Sequence, residues 1–445
     1  MDQEFVKQIR SYIPEDVLFL HIGLNLGGMI ELKDGTLLSV AGAGRSISRD
    51  GGETWTEREP IYDVEGRQLE GGLVSLFPPH TGWQFKGIRL LRLKSGGIGG
   101  FGGGSDQTKP YGTTPWFTRS DDEGKTWSKP VRVAEPYNNG IMHGAAALTS
   151  TGRIVASVYD SIGQRHRRRS EAPFRDQLVK VGHHGYEDAM CYCWAQYSDD
   201  EGETWHPNEA KGVWATGGEL FVTLDGSAGG HYSCEEPDVV EVSPEHLLMI
   251  LRTSLGRLFQ SWSSDDGGTW SQPEATTLAS SRSPAALARF PGTNDLLIIW
   301  NQSSADEIES GMQRHRLSSA VSKDGGETWQ RGRNVFSIFQ QNGDVNRVEP
   351  PPIRNYRAME LSPRLPSNDI EATYPYLTLW KDRLIIQLGA NERARYIVDS
   401  EGKTGFHRDR RDLSASERQR LEGQHRPSAG GEVCFGLPVS WFYGG

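Results

Sequence analysis

Apolar and polar positions alternate along the chain in short runs that are separated by glycine-rich turns. An apolar stretch, a short turn and a second apolar stretch recur as MIELKDGTLLSV, IRLLRLKSGGIGG, AALTSTGRIVASV, DVVEVSPEHLLMILR, AALARFPGTNDLLIIWN and YLTLWKDRLIIQL. Runs of this length, bounded by turn residues, are typical of paired β-strands. Because no long helical period accompanies them, the pattern predicts an all-β fold that is built from repeated hairpins.

A second pattern, Ser-x-Asp-x-Gly-x-Thr-Trp, occurs five times without a mismatch at its fixed positions. The five copies end at Trp55, Trp127, Trp205, Trp270 and Trp329. In such a turn the aspartate accepts hydrogen bonds from nearby N–H and hydroxyl groups, the glycine adopts a positive φ, and the tryptophan packs into the sheet. A degenerate sixth copy is predicted from Val398 to Gly405, where Ser400 takes the aspartate position and the tryptophan is lost.

These motifs are Asp boxes, and through them the chain resembles the sialidase (neuraminidase) superfamily over nearly its full length, as a divergent member. The resemblance implies a single domain over residues 1–445, folded as a six-bladed, sialidase-like β-propeller with its boxes on the rim away from the active site. The repeated aspartates are then structural: Asp50, Asp122, Asp200, Asp265 and Asp324. Each blade is expected to be a four-stranded antiparallel sheet, and ligand-facing residues belong at the start of its innermost strand.

The register of the hairpins predicts which side chains lie near the axis. The first apolar residues after the turns of blades three to six are Ile154, Leu247, Leu296 and Leu384. Counting back from each to the equivalent position gives His143, Glu236, Ser283 and Tyr374. Proline follows the last three, and it holds the preceding residue extended, which suits a strand that starts at a crowded axis.

Counting forward from the same positions gives a neighbouring ring of side chains: Tyr159 (next to Asp160), Arg252 and Asn301. In blades one and two the backward step falls near Asn25-Leu26 and Lys86-Gly87, with His21 slightly upstream. Polar groups that converge from different blades predict a binding site for a carbohydrate. The alternative is that some of them only fill the channel with satisfied hydrogen bonds.

In sialidases a tyrosine attacks the anomeric carbon, a glutamate takes its proton, and three arginines hold the substrate carboxylate. By resemblance, Tyr374 in ATYPYL is the nucleophile and Glu236 in EEPDVVEV is the proton acceptor, a role that Glu235 could exchange with it. Arg252 and Arg314 match the second and third arginines. The pairing is sensible because a phenol is a poor nucleophile until a carboxylate draws its proton, and guanidinium groups bind carboxylates by forked hydrogen bonds.

Two features of the family are missing from the first blade. The arginine expected there is absent, since residues 21–28 are HIGLNLGG, and the general-acid aspartate is absent from LLSVAGAGRSISRDGG. Candidates for the missing proton donor are His143, Asp160, Glu187 and His21. The residues expected to bind substrate are Arg252, Arg314, Asn301, Ser283, His21 and Asp160, with no metal and no cofactor.

Three functions fit this site. The first is an exo-acting glycoside hydrolase for an acidic or unusual sugar, with Tyr374 and Glu236 as the nucleophile–base pair. The second is a polysaccharide lyase in which Arg252 neutralises a uronate carboxylate while Tyr374 and His143 exchange protons. The third is a carbohydrate-binding propeller without chemistry, because a fold does not imply catalysis.

Composition limits the classes of partner that the protein is expected to bind. A net charge of −10, from 48 basic and 58 acidic residues, argues against broad nucleic-acid binding. The basic run at residues 165–169 predicts a solvated loop or, alternatively, a polyanion contact, and the insertion that holds it and residues 183–188 predicts a polar loop beside the cleft. The charged segment Asp409–Arg426 predicts a helix that covers the last blade or meets a partner. Oligomeric state is not indicated.

The four cysteines, Cys191, Cys193, Cys234 and Cys434, lack CxxC spacing and are expected to be buried free thiols. The first twenty residues show no signal-peptide pattern, and no apolar run is long enough to span a membrane. The sequence therefore predicts a soluble cytoplasmic protein without membrane contact, or a secreted or periplasmic one if a leader peptide has been removed.

Overall fold

Six four-stranded antiparallel sheets follow one another along the described part of the chain. The structure is a computed structural model of the 445-residue chain. It describes residues 3–42, 44–78, 88–106, 112–135, 146–162, 171–174, 177–180, 190–209, 220, 222–223, 231–232, 234–310, 312–339, 347–354, 356, 370–392, 397–398, 404–405 and 430–444.

The first two blades follow an N-terminal helix and a strand. These two elements are α1 (Gln3–Tyr12) and β1 (Phe19–Ile22). Blade one comprises β2 (Gly28–Glu31), β3 (Leu37–Ala41), β4 (Gly44–Ser48) and β5 (Glu59–Pro60). A short strand, β6 (Tyr62–Asp63), and a 3-10 helix, Leu73–Ser75, precede blade two. Blade two comprises β7 (Arg89–Arg92), β8 (Ile98–Asp106), β9 (Gly112–Ser120) and, after β10 (Thr126–Trp127), β11 (Val131–Arg132).

Blades three and four form the middle of the chain. Blade three comprises β12 (Ala147–Leu148), β13 (Ile154–Ile162), then, after the hairpin β14 (Glu171–Phe174) and β15 (Gln177–Lys180), β16 (Met190–Ser198) and β17 (His206–Pro207). The short pair β18 (Val222–Thr223) and β19 (His231–Tyr232) follows. Blade four comprises β20 (Cys234–Ser243), β21 (His246–Thr253), β22 (Arg257–Ser263) and β23 (Glu274–Ala279).

Blades five and six complete the ring. Blade five comprises β24 (Ala285–Arg289), β25 (Leu296–Trp300), then, after α2 (Ala305–Glu309), β26 (Arg316–Ser322) and β27 (Gln330–Ser337). Blade six comprises β28 (Ile370–Trp380), β29 (Arg383–Glu392), then, after the hairpin β30 (Ile397–Val398) and β31 (Thr404–Gly405), β32 (Gly430–Pro438), with a 3-10 helix, Val439–Tyr443, at its end. This architecture confirms the predicted six-bladed propeller.

The ring is closed by the N-terminal strand, which lies in the last blade. The order of that sheet is β28-β29-β32-β1, and β1 pairs with β32 in the register Phe19↔Gly436 to Ile22↔Val433. The apolar residues Phe5 and Ile9 of α1 are buried in a core cluster that is shared with blades five and six. Both ends of the chain are therefore tied into one blade.

The Asp boxes join the third and fourth strands of their blades. In blade two, Asp122 Oδ1 accepts hydrogen bonds from Ser120 Oγ at 2.9 Å and from the Thr126 N–H at 2.8 Å, and Oδ2 accepts one from Thr126 Oγ1 at 2.8 Å. Trp127 Nε1 donates to the Gly124 carbonyl at 3.1 Å. The aspartates are therefore structural, as predicted from the repeat.

The segment from Val398 to Gly405, predicted as a degenerate sixth box, has a different place in its blade. Its described residues, Val398, Thr404 and Gly405, belong to the paired strands β30 and β31, which follow the second strand of blade six rather than the third. Its start and end thus lie at the opposite end of a blade from the five complete boxes.

Neighbouring blades pack face to face through alternating apolar residues. Between blades four and five, for example, Leu248 and Ile250 share a buried cluster with Leu296, Ile298 and Trp329. Burial of both faces explains why the second strand of each of these blades is almost wholly apolar. All four cysteines are buried free thiols, as predicted.

Candidate functional site

The innermost strands all begin at the end of the ring that lies opposite the Asp boxes. Strands within a blade alternate in direction, so a third strand ends where the first one ends, and each box follows a third strand. The starts of β20 and β28, which carry Glu236 and Tyr374, therefore lie at the box-free end. The sequence analysis predicted the site at this end of the ring.

Glu236 and Tyr374 occupy matching irregularities in two different blades. The register of β20 shifts between Glu235 and Asp238, and that of β28 shifts between Thr373 and Tyr376. Glu236 has a φ of 42° and Tyr374 one of 55°, values that are uncommon for residues other than glycine. Each is followed by a proline, and the expectation that the proline holds the preceding residue extended is wrong at both positions. A bulge of this kind re-aims one side chain while the rest of the strand keeps its pairing.

These two bulges bring the side chains together. The Tyr374 hydroxyl donates a hydrogen bond to Glu236 Oε1 at 3.1 Å, although the two residues lie 138 positions apart in the chain. The Arg314 guanidinium carbon lies 5.2 Å from the centroid of the Tyr374 ring. Glu236 is buried, whereas Tyr374 and Arg314 are half-buried. The structure thus brings a phenol, a carboxylate and a guanidinium to one place.

Arg252 lies between two carboxylates. Its Nη1 contacts Glu236 Oε2, its Nε lies 3.4 Å from Glu235 Oε2, and its side chain is 6% exposed. Burial alone would lower the pKa of Arg252, but the charges of Glu236 and Glu235 outweigh it and raise the pKa well above its ordinary value. Arg252 is therefore cationic and already paired, which differs from the open carboxylate clamp predicted for it.

Three other predicted residues lie inside the scaffold. Asn301 is fully buried, and its Nδ2 donates to the carbonyls of Arg316 and Ala372, both at 3.1 Å. Ser283 is fully buried and accepts a hydrogen bond from Ser281 Oγ at 3.2 Å. Asp160 is fully buried and accepts one from the Tyr192 hydroxyl at 3.0 Å. Their burial and hydrogen bonds within the protein agree with the alternative that they fill the channel, and their predicted contact with substrate stays a prediction.

The expectation that His21 lies near the axis is wrong. His21 lies on β1, the outermost strand of blade six, and its Nε2 donates to the carbonyl of Gly52 in the first Asp box at 2.7 Å. It was placed near the axis because the closing role of β1 is not visible in the hairpin pattern. The predictions for His143 and Glu187, and for the step at Lys86-Gly87, lie outside the described residues.

Sequence reasoning missed two arginines at the site. Arg282 pairs with Glu235, and it directly precedes the Ser283-Pro284 position that the register had identified. Arg89, at the start of β7, lies with its guanidinium carbon 3.1 Å from the centroid of the Tyr376 ring. Both could have been found by reading one to three residues beyond the predicted axis positions.

A cavity of about 70 Å³ lies among the innermost strands of several blades. Arg89, Asp238, Tyr376 and Gln387 are among its lining residues. Burial raises the pKa of Tyr376 to about 12, so its phenol is neutral at physiological pH.

Family comparison supports the architecture. The BNR repeat-like domain matches residues 100–386, which is more than half of the chain. The chain belongs to the BNR repeat-like domain family. This confirms the predicted membership among the Asp-box propellers.

Solved structures similar to this BNR repeat-like protein include two sialidases. The Hadza microbial sialidase Hz136 has 17% identity and a TM-score of 0.48, with 85% of this chain and 64% of that chain covered. Trypanosoma rangeli sialidase has 14% identity and a TM-score of 0.48, with 95% and 56% covered. The BNR repeat-like chain thus spans less than two thirds of the length of either sialidase.

A third similar structure is a protein of unknown function from Dyadobacter fermentans. It has 16% identity and a TM-score of 0.49, and the match covers 94% of this chain and 97% of that one.

Among the described residues of the BNR repeat-like protein, no three or more His, Cys, Asp or Glu side chains are grouped to hold a metal ion. The helices within those residues are too short or too polar to cross a bilayer.

Proposed function

We propose that this protein is an exo-acting glycoside hydrolase that removes an acidic or unusual sugar, with Tyr374 as nucleophile and Glu236 as its proton acceptor. The observation that carries the proposal is the 3.1 Å hydrogen bond from the Tyr374 hydroxyl to Glu236 Oε1. Nucleophile and base within hydrogen-bond reach are the geometric signature of an activated nucleophile.

The reaction follows from that geometry. The Tyr374 oxygen attacks the anomeric carbon while its proton passes to Glu236 Oε1, and the bond to the leaving group breaks. The leaving oxygen takes a proton from a general acid, for which His143 and Glu187 remain candidates. Water then attacks the anomeric carbon and gives its proton to the deprotonated general acid, which restores that acid. The tyrosyl–sugar bond breaks, and Glu236 returns its proton to the phenolate oxygen. The steps use side chains and water, and no cofactor takes part.

The preference for an acidic sugar rests on Arg314. Its guanidinium lies against the face of Tyr374, the residue that attacks the sugar. A carboxylate on the anomeric carbon or on a neighbouring carbon would lie within reach of this cation. Arginine suits the role because it remains charged and binds carboxylates through two parallel N–H groups.

Product analysis tests the proposal. The protein is incubated with fluorogenic aryl glycosides of a nonulosonic acid, of a uronic acid and of neutral sugars, and with the matching oligosaccharides. Hydrolysis of a terminal acidic sugar is expected. An unsaturated product with new ultraviolet absorbance would indicate the lyase instead, and binding without any product would indicate a carbohydrate-binding propeller.

Tyr374→Phe is the decisive variant, and it should lower turnover by at least about a hundredfold because the nucleophilic oxygen is lost. Tyr62→Phe is a matched control at a half-buried tyrosine of β6 and should retain wild-type turnover. Full activity of Tyr374→Phe would remove the nucleophile from the mechanism.

A further inference from the structure

Two arginines and two glutamates alternate in a row that ends at the Tyr374 hydroxyl. Arg282 Nη2 contacts Glu235 Oε1, and Arg252 contacts both Glu235 and Glu236. Glu236 Oε1 then accepts the hydrogen bond of Tyr374. The row crosses three blades, since Arg282 lies just before β24, Glu235, Glu236 and Arg252 lie in blade four, and Tyr374 lies in blade six.

The bulge in β20 makes this row possible. Consecutive residues of a regular strand point to opposite faces, so Glu235 and Glu236 would not normally reach the same partner. Glu235 stands directly opposite Arg252 in the register, and the shift that follows it turns Glu236 toward the same guanidinium. The strand therefore places two successive carboxylates on one arginine.

Burial makes the members of the row interdependent. Glu235 is 0% exposed, Glu236 is 2% exposed and Arg252 is 5% exposed. Leaving one such charge without a partner is strongly destabilising, whereas the complete row of two cations and two anions is electrically neutral. Removing a charge at the far end must therefore change the electrostatic environment of Glu236.

A substrate carboxylate fits poorly at Arg252. It would approach a guanidinium that already contacts two carboxylates, and like charges at short range repel each other. Arg314, by contrast, is half-buried and lies over the ring of Tyr374.

We propose that Glu235 and Arg282 are positioning residues that hold Arg252 against Glu236, so that Arg252 serves the proton acceptor rather than the carboxylate of the substrate. Arg252 fixes Glu236 Oε2, which leaves Oε1 directed at Tyr374. This role rests on the proposed hydrolase function. It assigns the substrate anion to Arg314, whereas the sequence analysis assigned that anion to Arg252 and Arg314 together.

Glu235→Gln and Arg282→Gln should move the acid limb of the pH–rate profile in opposite directions. Glu235→Gln removes an anion, so Glu236 loses its proton at lower pH and the limb moves to lower pH. Arg282→Gln removes a cation, so the limb moves to higher pH. Among the described residues, the other charged or titratable groups around Glu235 and Glu236 include Asp238, Arg252, Arg314, Tyr374, Tyr376, Arg89 and the buried thiols of Cys191 and Cys193. The Cys191 Sγ lies 3.4 Å from Glu235 Oε1, and neither variant replaces any of these groups.

The kinetic test compares kcat and KM on the acidic aryl glycoside that the wild type turns over. Glu235→Gln should lower kcat by about tenfold and leave KM within about twofold, as expected for a group acting on the base. Arg252→Lys should show the same split, whereas a large rise in KM with unchanged kcat would restore Arg252 to the clamp and overturn the proposal. Arg282→Lys keeps the charge and should return the limb to its wild-type pH.

Glu59→Gln is the control for loss of an ion pair in general. Glu59 lies on the outermost strand of blade one and pairs with the buried Arg45 at 2.9 Å. This variant should leave the pH limb in place. Circular dichroism and thermal melting confirm that each variant is folded before its kinetics are compared.

A second readout keeps the inference separate from the hydrolase proposal. The protein is labelled with tyrosine carrying ¹³C at Cζ, and the Tyr374 signal is assigned by its loss in Tyr374→Phe. Glu235→Gln and Arg282→Gln should shift the pH dependence of that signal in opposite directions, even if no glycoside is cleaved. If no substrate is cleaved but the two variants still shift the Tyr374 signal in opposite directions, only the hydrolase proposal is overturned. An unchanged pH dependence of the Tyr374 signal in both variants would overturn the positioning role.

Discussion

The guanidinium of Arg314 lies over the ring of Tyr374, 5.2 Å from its centroid, and so borders the place where the reacting carbon would be attacked. Arg314→Gln should raise KM for acidic aryl glycosides by about tenfold to a hundredfold, the amount expected from one or two charge-assisted hydrogen bonds, and change neutral ones little. Steady-state kinetics on both classes provide the measurement. Arg132→Gln, at the edge of blade two, is the control. Equal losses for acidic and neutral substrates would contradict the anion role.

Four buried acids give the fold a sensitivity to alkaline pH. Burial raises the pKa of the Cys191, Cys193 and Cys434 thiols well above 9.0 and that of Tyr376 to about 12. In the folded protein these groups keep protons that the unfolded chain has already released. The contribution of Tyr376 to the free energy of unfolding is complete below pH 10.0 and is lost as the pH rises through about 12, and the thiols act with the same sign from pH 9.0 upward.

Urea denaturation at several pH values checks this sign. The midpoint should fall as the pH rises from about 9 to about 12, and Tyr376→Phe should make the upper part of that fall less steep than Tyr62→Phe does. A urea midpoint that rises with pH in this window would contradict the predicted loss of stability on deprotonation of the buried phenol.

Residues of the candidate site could be predicted where the hairpin register and the family resemblance indicated the same position. Glu236 and Tyr374 were predicted because each lies ten or eleven residues before the first apolar residue of its blade's second strand and matches a residue of the sialidase pattern. The pairing of Arg252 with two carboxylates was not predictable, because it depends on a bulge that shifts the register between Glu235 and Asp238. No local pattern of residues reports such a shift.

At the level of single elements, the Asp-box turns are held by hydrogen bonds to one carboxylate. Asp122→Asn should lower the free energy of unfolding by about 1–3 kcal/mol, because the hydroxyl and N–H groups of Thr126 and Ser120 lose a charged acceptor. Thermal or chemical denaturation measures the loss. Asp121→Asn changes the neighbouring exposed aspartate and should have a much smaller effect.

The same turns predict that the folded state loses stability at low pH. Burial would raise the pKa of Asp122, but hydrogen bonds from Thr126 and Ser120 outweigh it and lower the pKa below 3.8. Asp50, Asp200 and Asp324 behave likewise. Their stabilisation is present above pH 3.8 and is lost as the pH falls through the lowered values, so Asp122→Asn should also flatten the acid end of the stability profile.

Strands were easier to predict than helices in this chain. The hairpins show in the sequence because each apolar run is bounded by turn residues. The helix α1 was missed, although Phe5 and Ile9 have helical spacing, because one short amphipathic run is weak beside six repeated hairpins. The structure shows why the helix forms: its apolar residues Phe5 and Ile9 pack against blades five and six.

For the whole molecule, the closure of the ring depends on β1. Removing residues 1–22 should lower the melting temperature and broaden the transition, because β32 loses its partner and the core loses the apolar face of α1. Differential scanning calorimetry and size-exclusion chromatography test this. A truncated protein that melts like the full chain would show that blade six is complete without the N-terminal strand.

The architecture was predictable from the number of repeats, whereas its closure was not. Five complete boxes and six hairpins fix the count of blades. Which strand completes the last sheet depends on contacts between the two ends of the chain, and for that reason His21 was assigned to the axis when it lies on the rim.

The matching bends at Glu236-Pro237 and Tyr374-Pro375 also bear on how such a ring evolves. Each bend is confined to a dipeptide, so exchanging the residue before the proline alters what one blade offers at the centre and leaves the hairpins and rim intact. Blade five already carries an equivalent dipeptide, Ser283-Pro284. Each such exchange would change the group that one blade presents at the centre, although at position 236 it would also remove one carboxylate from the buried Arg252.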